Sequence, residues 1–217
     1  AEQLTQVLRE RMASEYGEGT NIDGLARLSG GASRETWSFV ALKPNGDSQS
    51  LILKRDPMDR QVDKKFEGVP EGRLGVDRHT EGRLIQLAYE AGTPEPIVPF
   101  FLHPDEHTTQ GFFTHRLNGD TLGRRILRED DYAQARSKLA FQVGHAAARF
   151  HGIERKMLPL MQGMPVAEEL NHYRRIMDSF NQPHASFEYG FSWLEERLEL
   201  AGDRYSLCHG DFRNGNI

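Results

Sequence analysis

The chain has very little cysteine, since Cys208 is the single cysteine among its 217 residues. One cysteine excludes an intrachain disulfide, which fits a reducing compartment. Cys208 lies in the short apolar stretch "SLC", which reads as a strand, and we expect it to fill core space rather than to act as a nucleophile. The chemistry of this protein is therefore expected elsewhere.

Long apolar runs are also lacking. The longest one, around "PIVPFFL" (residues 96–102), is far too short to span a bilayer. The N-terminal residues have no basic stretch followed by an apolar run, so they do not form a secretory signal. Both absences lead us to expect a cytoplasmic protein that does not bind a membrane.

An excess of positive charge is lacking as well. The chain has 27 lysines and arginines against 32 aspartates and glutamates, a formal net charge of -5, whereas a general nucleic-acid binder is usually basic. Hydrophobic residues at 37% and charged residues at 27% are typical of a soluble globular protein. We expect no nucleic-acid partner, and the composition specifies no oligomeric state.

The first part of the chain alternates between helical and strand patterns. Residues 3–16 carry apolar side chains at helical spacing and predict a helix. Apolar residues alternate in "ETWSFVAL" (35–42), and "SLILK" (50–54) is a short apolar run. With the turn residues "KPNGDSQ" between them, these segments predict an antiparallel hairpin. The charged residues 56–77, with their glycines and prolines, predict a loop.

Further on, "HTEGRLIQLAYEAG" (79–92) predicts a helix that stops at Gly92. "PIVPFFLHP" (96–104) and "GFFTHRL" (111–117) then predict two strands. The remaining residues read as mainly helical, with one helix at 137–151 and another at 192–201 that begins with the capping box "SWLE".

These patterns predict an α+β protein with two lobes. The break falls near "RLNGD" (116–120), so we expect an N-terminal lobe of residues 1–117 and a helical lobe of residues 118–217. A cleft between two lobes is a usual place for a ligand.

Three features of the first lobe could hold phosphate groups. Adjacent glycines in "LSGGASRETW" (Gly30 and Gly31, followed by Ser33) let the backbone approach a phosphate and point N–H groups at it. Lys54 could contact phosphate oxygens as a point charge, and Glu81 could pair with Lys54. Each feature also has a plain structural alternative: a turn, a lysine that extends into solvent, and a first-turn glutamate favoured by the helix dipole.

The most specific motif is "HGDFRNGN" (209–216). It places Asp211 and Asn216 five residues apart, flanked by Gly210 and Gly215, in what must be a tight loop. A phosphoryl-transfer site needs a carboxylate that orients a hydroxyl or accepts its proton, and an oxygen ligand for magnesium such as an asparagine amide. The alternative, a glycine-rich turn with Asp and Asn as turn residues, is much less favoured.

In this order, and with the hinge-like "FFTHRLNG" (112–119), the motifs resemble the aminoglycoside phosphotransferase and choline kinase-like family, within the protein-kinase-like fold. The "HGDF" form followed by arginine is similar to the branch of kinase-like domains joined to acyl-CoA dehydrogenases. The resemblance covers essentially the whole chain. It implies a bilobal α+β fold, with an antiparallel-sheet N-lobe that carries one inserted helix and a mainly helical C-lobe that is incomplete here.

The resemblance also implies a function and a role for each motif residue. The function is an ATP-dependent phosphotransferase that moves the γ-phosphoryl group to a hydroxyl of a small-molecule acceptor, with ATP and Mg²⁺ as cofactors. Asp211 would be the catalytic base and Asn216 a magnesium ligand, while Lys54 would bind the α- and β-phosphates, steadied by Glu81. The residues that would cover the phosphates are Gly30, Gly31, Ala32 and Ser33. The residues whose backbone would line the adenine slot are Thr114, His115, Arg116 and Leu117.

Two departures from the family pattern matter. The order His-Gly-Asp, in place of the His-Arg-Asp of protein kinases, favours a small-molecule acceptor over a protein. The family also places a second metal-binding aspartate after this motif, whereas the sequence ends at Ile217. We therefore expect the sequence to be part of a longer protein, and magnesium to bind weakly without that aspartate. The alternative function is a nucleotide-binding, catalytically inactive kinase-like module that acts by interaction.

Overall fold

The computed structural model describes residues 2–28, 35–58, 76–105, 107–159, 165–202 and 205–216. Its strands are β1 (Asn21–Arg27), β2 (Glu35–Leu42), β3 (Ser48–Arg55), β4 (Phe101–Leu102) and β5 (Gly111–His115). Its α-helices are α1 (Glu2–Tyr16), α2 (Arg78–Glu90), α3 (Gly123–Arg128), α4 (Ala133–His151), α5 (Val166–Ser179) and α6 (Ala185–Glu195). Short 3₁₀ turns lie at Asp130–Tyr132, Arg155–Met157 and Leu198–Ala201. In the ranges that the structure describes, all strands precede residue 116 and only helices follow it, so the expected α+β class is confirmed.

The five strands form one antiparallel sheet in the order β1-β2-β3-β5-β4. β2 and β3 form the predicted hairpin, in which Trp37 pairs with Leu53 and Leu42 with Ser48. Because β3 is the central strand, β2 and β5 hold it from both sides. A functional side chain on β3 therefore stands on the most constrained strand of the sheet.

The sequence pattern does not predict β1, although this strand forms one edge of the sheet. Its alternation is interrupted by Gly24, which has a φ of 63°, and by an irregular pairing with β2 between Asp23 and Ala26. A bulge of this kind breaks the period of two on which strand prediction depends.

The strand predicted over residues 96–104 is much shorter in the structure. Only Phe101–Leu102 joins the ladder with β5. Pro96 and Pro99 have no N–H to donate, so the residues around them cannot form a regular ladder. The segment still follows β5, because the backbone N–H of His115 donates to the Ile97 oxygen at 2.9 Å.

One face of the sheet packs against α1 and contains the main core of the described residues. Leu8 and Met12 of α1 are fully buried there, as the helical spacing predicts. At the centre of this core the ring centroid of Phe113 lies 4.8 Å from that of Phe100 and 6.1 Å from that of Phe39. The aromatic side chains of three different segments thus join in one cluster.

The opposite face of the sheet packs against α2. Asp77 caps this helix by accepting a hydrogen bond of 3.0 Å from the Thr80 N–H, and that bond lowers the pKa of the Asp77 carboxyl below its ordinary value. Gly82 faces the rings of Phe101 and Phe112, with no side chain between the helix and the sheet. The helix therefore lies close to the strands.

The second half of the chain packs its helices mainly against one another. The helical spacing of α4 places four apolar residues on one stripe, namely Leu139, Val143, Ala147 and Phe150. This stripe is the less exposed face of the helix, and its last member, Phe150, is buried. The helix predicted over 192–201 is wrong: α6 begins at Ala185, and Ser192 lies inside it, where its carbonyl accepts a hydrogen bond from Glu196 and its side chain cannot be the cap. None of the helices in the described ranges is long and apolar enough to cross a membrane.

Glu35, at the start of β2, is expected to make the stability of the fold sensitive to acid. Burial raises the pKa of this carboxyl, but hydrogen bonds from Trp37 (3.1 Å) and Arg55 (2.8 Å) outweigh burial and leave the pKa below its ordinary value. A lowered folded-state pKa gives stabilisation that is present above the unfolded-state pKa, about 4.3, and is lost as the pH falls toward the folded-state value. Below about pH 4.3, the free energy of unfolding should therefore fall more steeply in the wild type than in Glu35→Gln.

Urea unfolding between about pH 3 and pH 7 measures this difference. Glu90→Gln is the matched control, because Glu90 lies exposed at the end of α2 and its loss should leave the wild-type slope unchanged. Parallel pH dependences for the wild type and Glu35→Gln would contradict the prediction.

Candidate active site

Lys54 and Glu81 meet on the α2 face of the sheet. Lys54 lies near the end of β3 and Glu81 in the first turn of α2, and Lys54 Nζ is 3.8 Å from Glu81 Oε1. The contact expected between these two residues is therefore present. The Lys54 side chain is 39% exposed, and its Nζ lies 5.8 Å from the centroid of the Phe112 ring. A carboxylate thus holds the ammonium on one side while solvent reaches it on another.

A second cation, Arg78, shares Glu81 with the lysine. The Arg78 side chain is only 2% exposed; its Nη1 donates to Glu81 Oε2, and its Nε donates to Asp56 Oδ1 at 3.3 Å. Asp56 directly follows β3, so Arg78 joins that strand to α2. Arg78 is absent from the sequence candidates, although its position three residues before Glu81 puts both side chains on one helix face.

The motif "HGDFRNGN" folds back on itself around Asp211. Asn216 Nδ2 donates to the backbone oxygen of Asp211 at 2.9 Å and to its Oδ2 at 2.6 Å. Arg213 Nε also donates to Asp211 Oδ2, at 3.3 Å. Gly210 has a φ of 85°, which favours glycine, and a turn is closed where the Asn216 N–H donates to the Arg213 oxygen at 2.8 Å. The predicted tight loop is present, and it brings Asp211 and Asn216 into direct contact.

Phe212 attaches this loop to the end of α4. Its ring centroid lies 5.8 Å from that of Phe150, the buried residue at the end of the α4 stripe, and 5.4 Å from that of His209. The side chain of Asp211 remains 65% exposed. The loop therefore has an aromatic anchor on one side and presents its carboxylate to solvent on the other.

Glu95, in the connection between α2 and β4, interacts both with Lys54 and with the C-terminal motif. Burial raises the pKa of the Glu95 carboxyl above its ordinary value, while the charges of His209 and Lys54 act in the opposite direction. Both charges must lie near Glu95 to affect it, because Coulomb interactions weaken with distance. The local sequence "TPEP" does not mark Glu95 as part of a site, since its partners come from distant parts of the chain.

The four predicted adenine-slot residues lie at the end of β5 and just after it. Thr114 is buried and His115 half-buried in the strand, whereas Arg116 and Leu117 are exposed beyond it. The backbone N–H of His115 donates to Ile97, and that of Arg116 donates to Ser50 at 3.1 Å. The N–H groups of these two residues are thus already engaged within the protein.

One sequence prediction lies outside the described residues, and another is wrong. The predicted phosphate-covering residues, Gly30, Gly31, Ala32 and Ser33, lie outside the described residues. Cys208 is exposed rather than part of the core, and its thiol donates to the Ser206 oxygen at 3.6 Å. Residues 205–209 form no strand, because a strand needs a hydrogen-bonded neighbour and none of the described strands runs beside them.

Comparison with known protein families shows the family of this chain. A model of the phosphotransferase enzyme family (APH) matches residues 24–217, a range that contains the end of β1, the other four strands, α2 and the C-terminal motif. No curated protein matches the chain. The family model does not distinguish the branch joined to acyl-CoA dehydrogenases, so that finer resemblance stays a prediction.

Proposed function

The chain belongs to the phosphotransferase enzyme family, and from that premise we propose that it transfers the γ-phosphoryl group of ATP to a hydroxyl group of a small molecule. The observation that best supports this proposal is that Lys54 of the sheet and His209, two residues before Asp211 in the C-terminal motif, both act on the half-buried carboxyl of Glu95. We therefore expect the cation suited to phosphate and the loop that carries the candidate base, Asp211, to share one region. Transfer between two bound groups requires such proximity.

Lys54 is the proposed ligand of the α- and β-phosphates. Its distance of 3.8 Å from Glu81 exceeds hydrogen-bond length, so Glu81 attracts the ammonium without binding its N–H groups. Those N–H groups can turn to phosphate oxygens, to which a lysine binds as a point charge. Glu81 would hold the lysine in place without competing with the nucleotide.

Asp211 is the proposed catalytic base. Asn216 and Arg213 both donate to its Oδ2 and so fix the direction of the exposed carboxylate. The acceptor hydroxyl would approach Asp211, its oxygen would form a bond to the γ-phosphorus, and the bond from that phosphorus to the β-phosphate oxygen of ATP would break. The hydroxyl proton passes to the Asp211 carboxylate, and ADP leaves with the electron pair of the broken bond.

Asn216 is the proposed magnesium ligand. Its amide nitrogen contacts Asp211, which leaves the amide oxygen as a donor of the kind that Mg²⁺ prefers. Among the described residues, no cluster of three or more His, Cys, Asp or Glu side chains could hold a metal ion. The other ligands of the ion would be water and phosphate oxygens. Bound magnesium would neutralise charge on the phosphates.

The end of β5, residues 114–117, is the proposed wall of the adenine slot. Because the N–H groups of His115 and Arg116 are engaged, the base would use the other backbone groups of this segment. The acceptor could be an aminoglycoside, a sugar, an amino alcohol or a hydroxyacyl compound. Family membership favours a reaction type and does not name the substrate.

The first test is ATP binding by calorimetry with Mg²⁺, followed by ADP release with a panel of alcohols, on the natural full-length protein. Lys54→Met should weaken ATP binding about tenfold, because it removes one charge-assisted contact to phosphate. Lys138→Met is the matched control, since Lys138 is exposed on α4, and it should bind ATP as the wild type does.

Equal ATP affinity in Lys54→Met and the wild type would contradict the proposed phosphate site. ATP binding without phosphoryl transfer to any acceptor would instead select the alternative, a nucleotide-binding module that acts by interaction.

A further inference from the structure

We propose that Arg78 is a positioning residue that holds the Glu81 carboxylate and thereby keeps Lys54 available for phosphate. The proposal rests on the proposed role of Lys54 as a phosphate ligand. Arg78 touches neither a reacting atom nor the expected nucleotide contacts, so it would act only through Glu81. Its effect would be on the geometry of the lysine.

The first argument comes from the way Glu81 is shared. Its Oε2 accepts a hydrogen bond from Arg78, while its Oε1 faces Lys54 at 3.8 Å, beyond hydrogen-bond length. Each oxygen of one carboxylate therefore serves a different cation. The arginine has the close contact, and the lysine has only the attraction of the charge.

The second argument comes from how Arg78 is held. Its Nε donates to Asp56 at the end of β3, and its Nη1 donates to Glu81 on α2. The planar, forked guanidinium can reach two acceptors on different elements, which a lysine ammonium does less rigidly. The contacts run from Asp56 through Arg78 to Glu81. Lys54 lies two residues before Asp56 and 3.8 Å from Glu81, so both ends of this series are beside the lysine. The position of Glu81 relative to Lys54 is thus fixed from both sides.

A purely stabilising role explains Arg78 poorly. Its Nη2 is buried, and within the described ranges it has no hydrogen-bond partner. An unsatisfied buried N–H group lowers stability, and apolar residues often serve a core at least as well as a buried ion pair. The arginine is better explained by its hydrogen bonds to Asp56 and Glu81, which fix the position of the Glu81 carboxylate.

The test compares three variants of the natural full-length protein. Arg78→Met removes the charge and keeps the length of the side chain, and Arg78→Lys keeps the charge without the fork. Arg55→Met is the matched control, because Arg55 is also buried and pairs with Glu35, but on the other face of the sheet. The readouts are the rate at which an acylating reagent modifies Lys54 without nucleotide, followed by peptide mass spectrometry, and the Kd for ATP.

In Arg78→Met, Glu81 should turn to Lys54 and form a direct hydrogen bond with the ammonium. Acylation of Lys54 and ATP affinity should each fall about tenfold. Arg78→Lys should recover part of both losses. Arg55→Met should stay within about twofold of the wild type in both readouts, even if it lowers the melting temperature.

Equal Lys54 acylation rates in Arg78→Met and Arg55→Met would overturn the proposal. If Arg78→Met does not fold, Arg78→Lys decides: a slower rate than in the wild type supports the proposal, and an unchanged rate overturns it. If the wild type does not bind ATP, the proposed function fails, but slower acylation in the Arg78 variants still supports the positioning role.

Discussion

Replacement of Asp211 by Asn should abolish phosphoryl transfer and leave ATP binding unchanged. An amide of nearly the same shape can still accept a hydrogen bond from Asn216, so the loop should keep its form. It cannot take a proton from the acceptor hydroxyl, and loss of a general base costs about 10²- to 10⁴-fold in rate. Steady-state kcat in the natural full-length protein, with ATP affinity measured beside it, tests both halves of the expectation.

Asp131→Asn is the matched control for this experiment. Asp131 is exposed in the 3₁₀ turn before α4, and its change should affect neither kcat nor ATP affinity. Turnover near the wild-type value in Asp211→Asn would remove Asp211 from the catalytic role. Loss of ATP affinity together with kcat would mean that the carboxylate acts on the nucleotide or its metal instead.

Phe113→Ala should lower the free energy of unfolding by about 3–5 kcal/mol, the range for truncation of a large buried aromatic side chain. Phe113 is fully buried on β5, and its ring contacts the rings of Phe39 and Phe100. Truncation removes the contact surface of all three segments and leaves a cavity that the constrained sheet cannot close. Equilibrium unfolding in urea measures the loss.

The same substitution at Phe141 supplies the comparison. Phe141 is 77% exposed on α4, so Phe141→Ala should change the free energy of unfolding by no more than about 0.5 kcal/mol. A loss below about 1 kcal/mol for Phe113→Ala would mean that the aromatic cluster is not the centre of the core.

Regular periodicity explains which elements of the fold could be predicted. α1, α2 and the β2–β3 hairpin each turn one face to a single apolar surface, so their apolar residues recur at the expected spacing. β1 contains a bulge, and residues 96–100 contain two prolines, so neither segment keeps a strand period. The start of α6 is obscured because the motif "SWLE" has the letters of a capping box while lying inside the helix.

The residues of the candidate site also differ in whether they could be predicted from the sequence. Lys54 and Glu81 could be paired from the order of the motifs, because a strand followed by its packed helix brings both residues to one face. Arg78 and Glu95 could not, because their importance depends on partners from other segments: Asp56 for the arginine, and His209 for the glutamate. The local sequence does not show which distant residues these side chains contact.

The missing side chain at Gly82 determines how deeply α2 lies against the sheet. A Cβ at this position would lie 2.6 Å from Phe101 Cε1 and 2.9 Å from Phe112 Cγ, closer than carbon atoms can pack. A larger residue would therefore lift the start of the helix away from these rings. Because Glu81 is the preceding residue of that helix, its carboxylate would move away from Lys54 with it. The distance between two opposite charges thus depends on aromatic packing, so a mutation that changes no charged residue could alter the electric field at the candidate phosphate site.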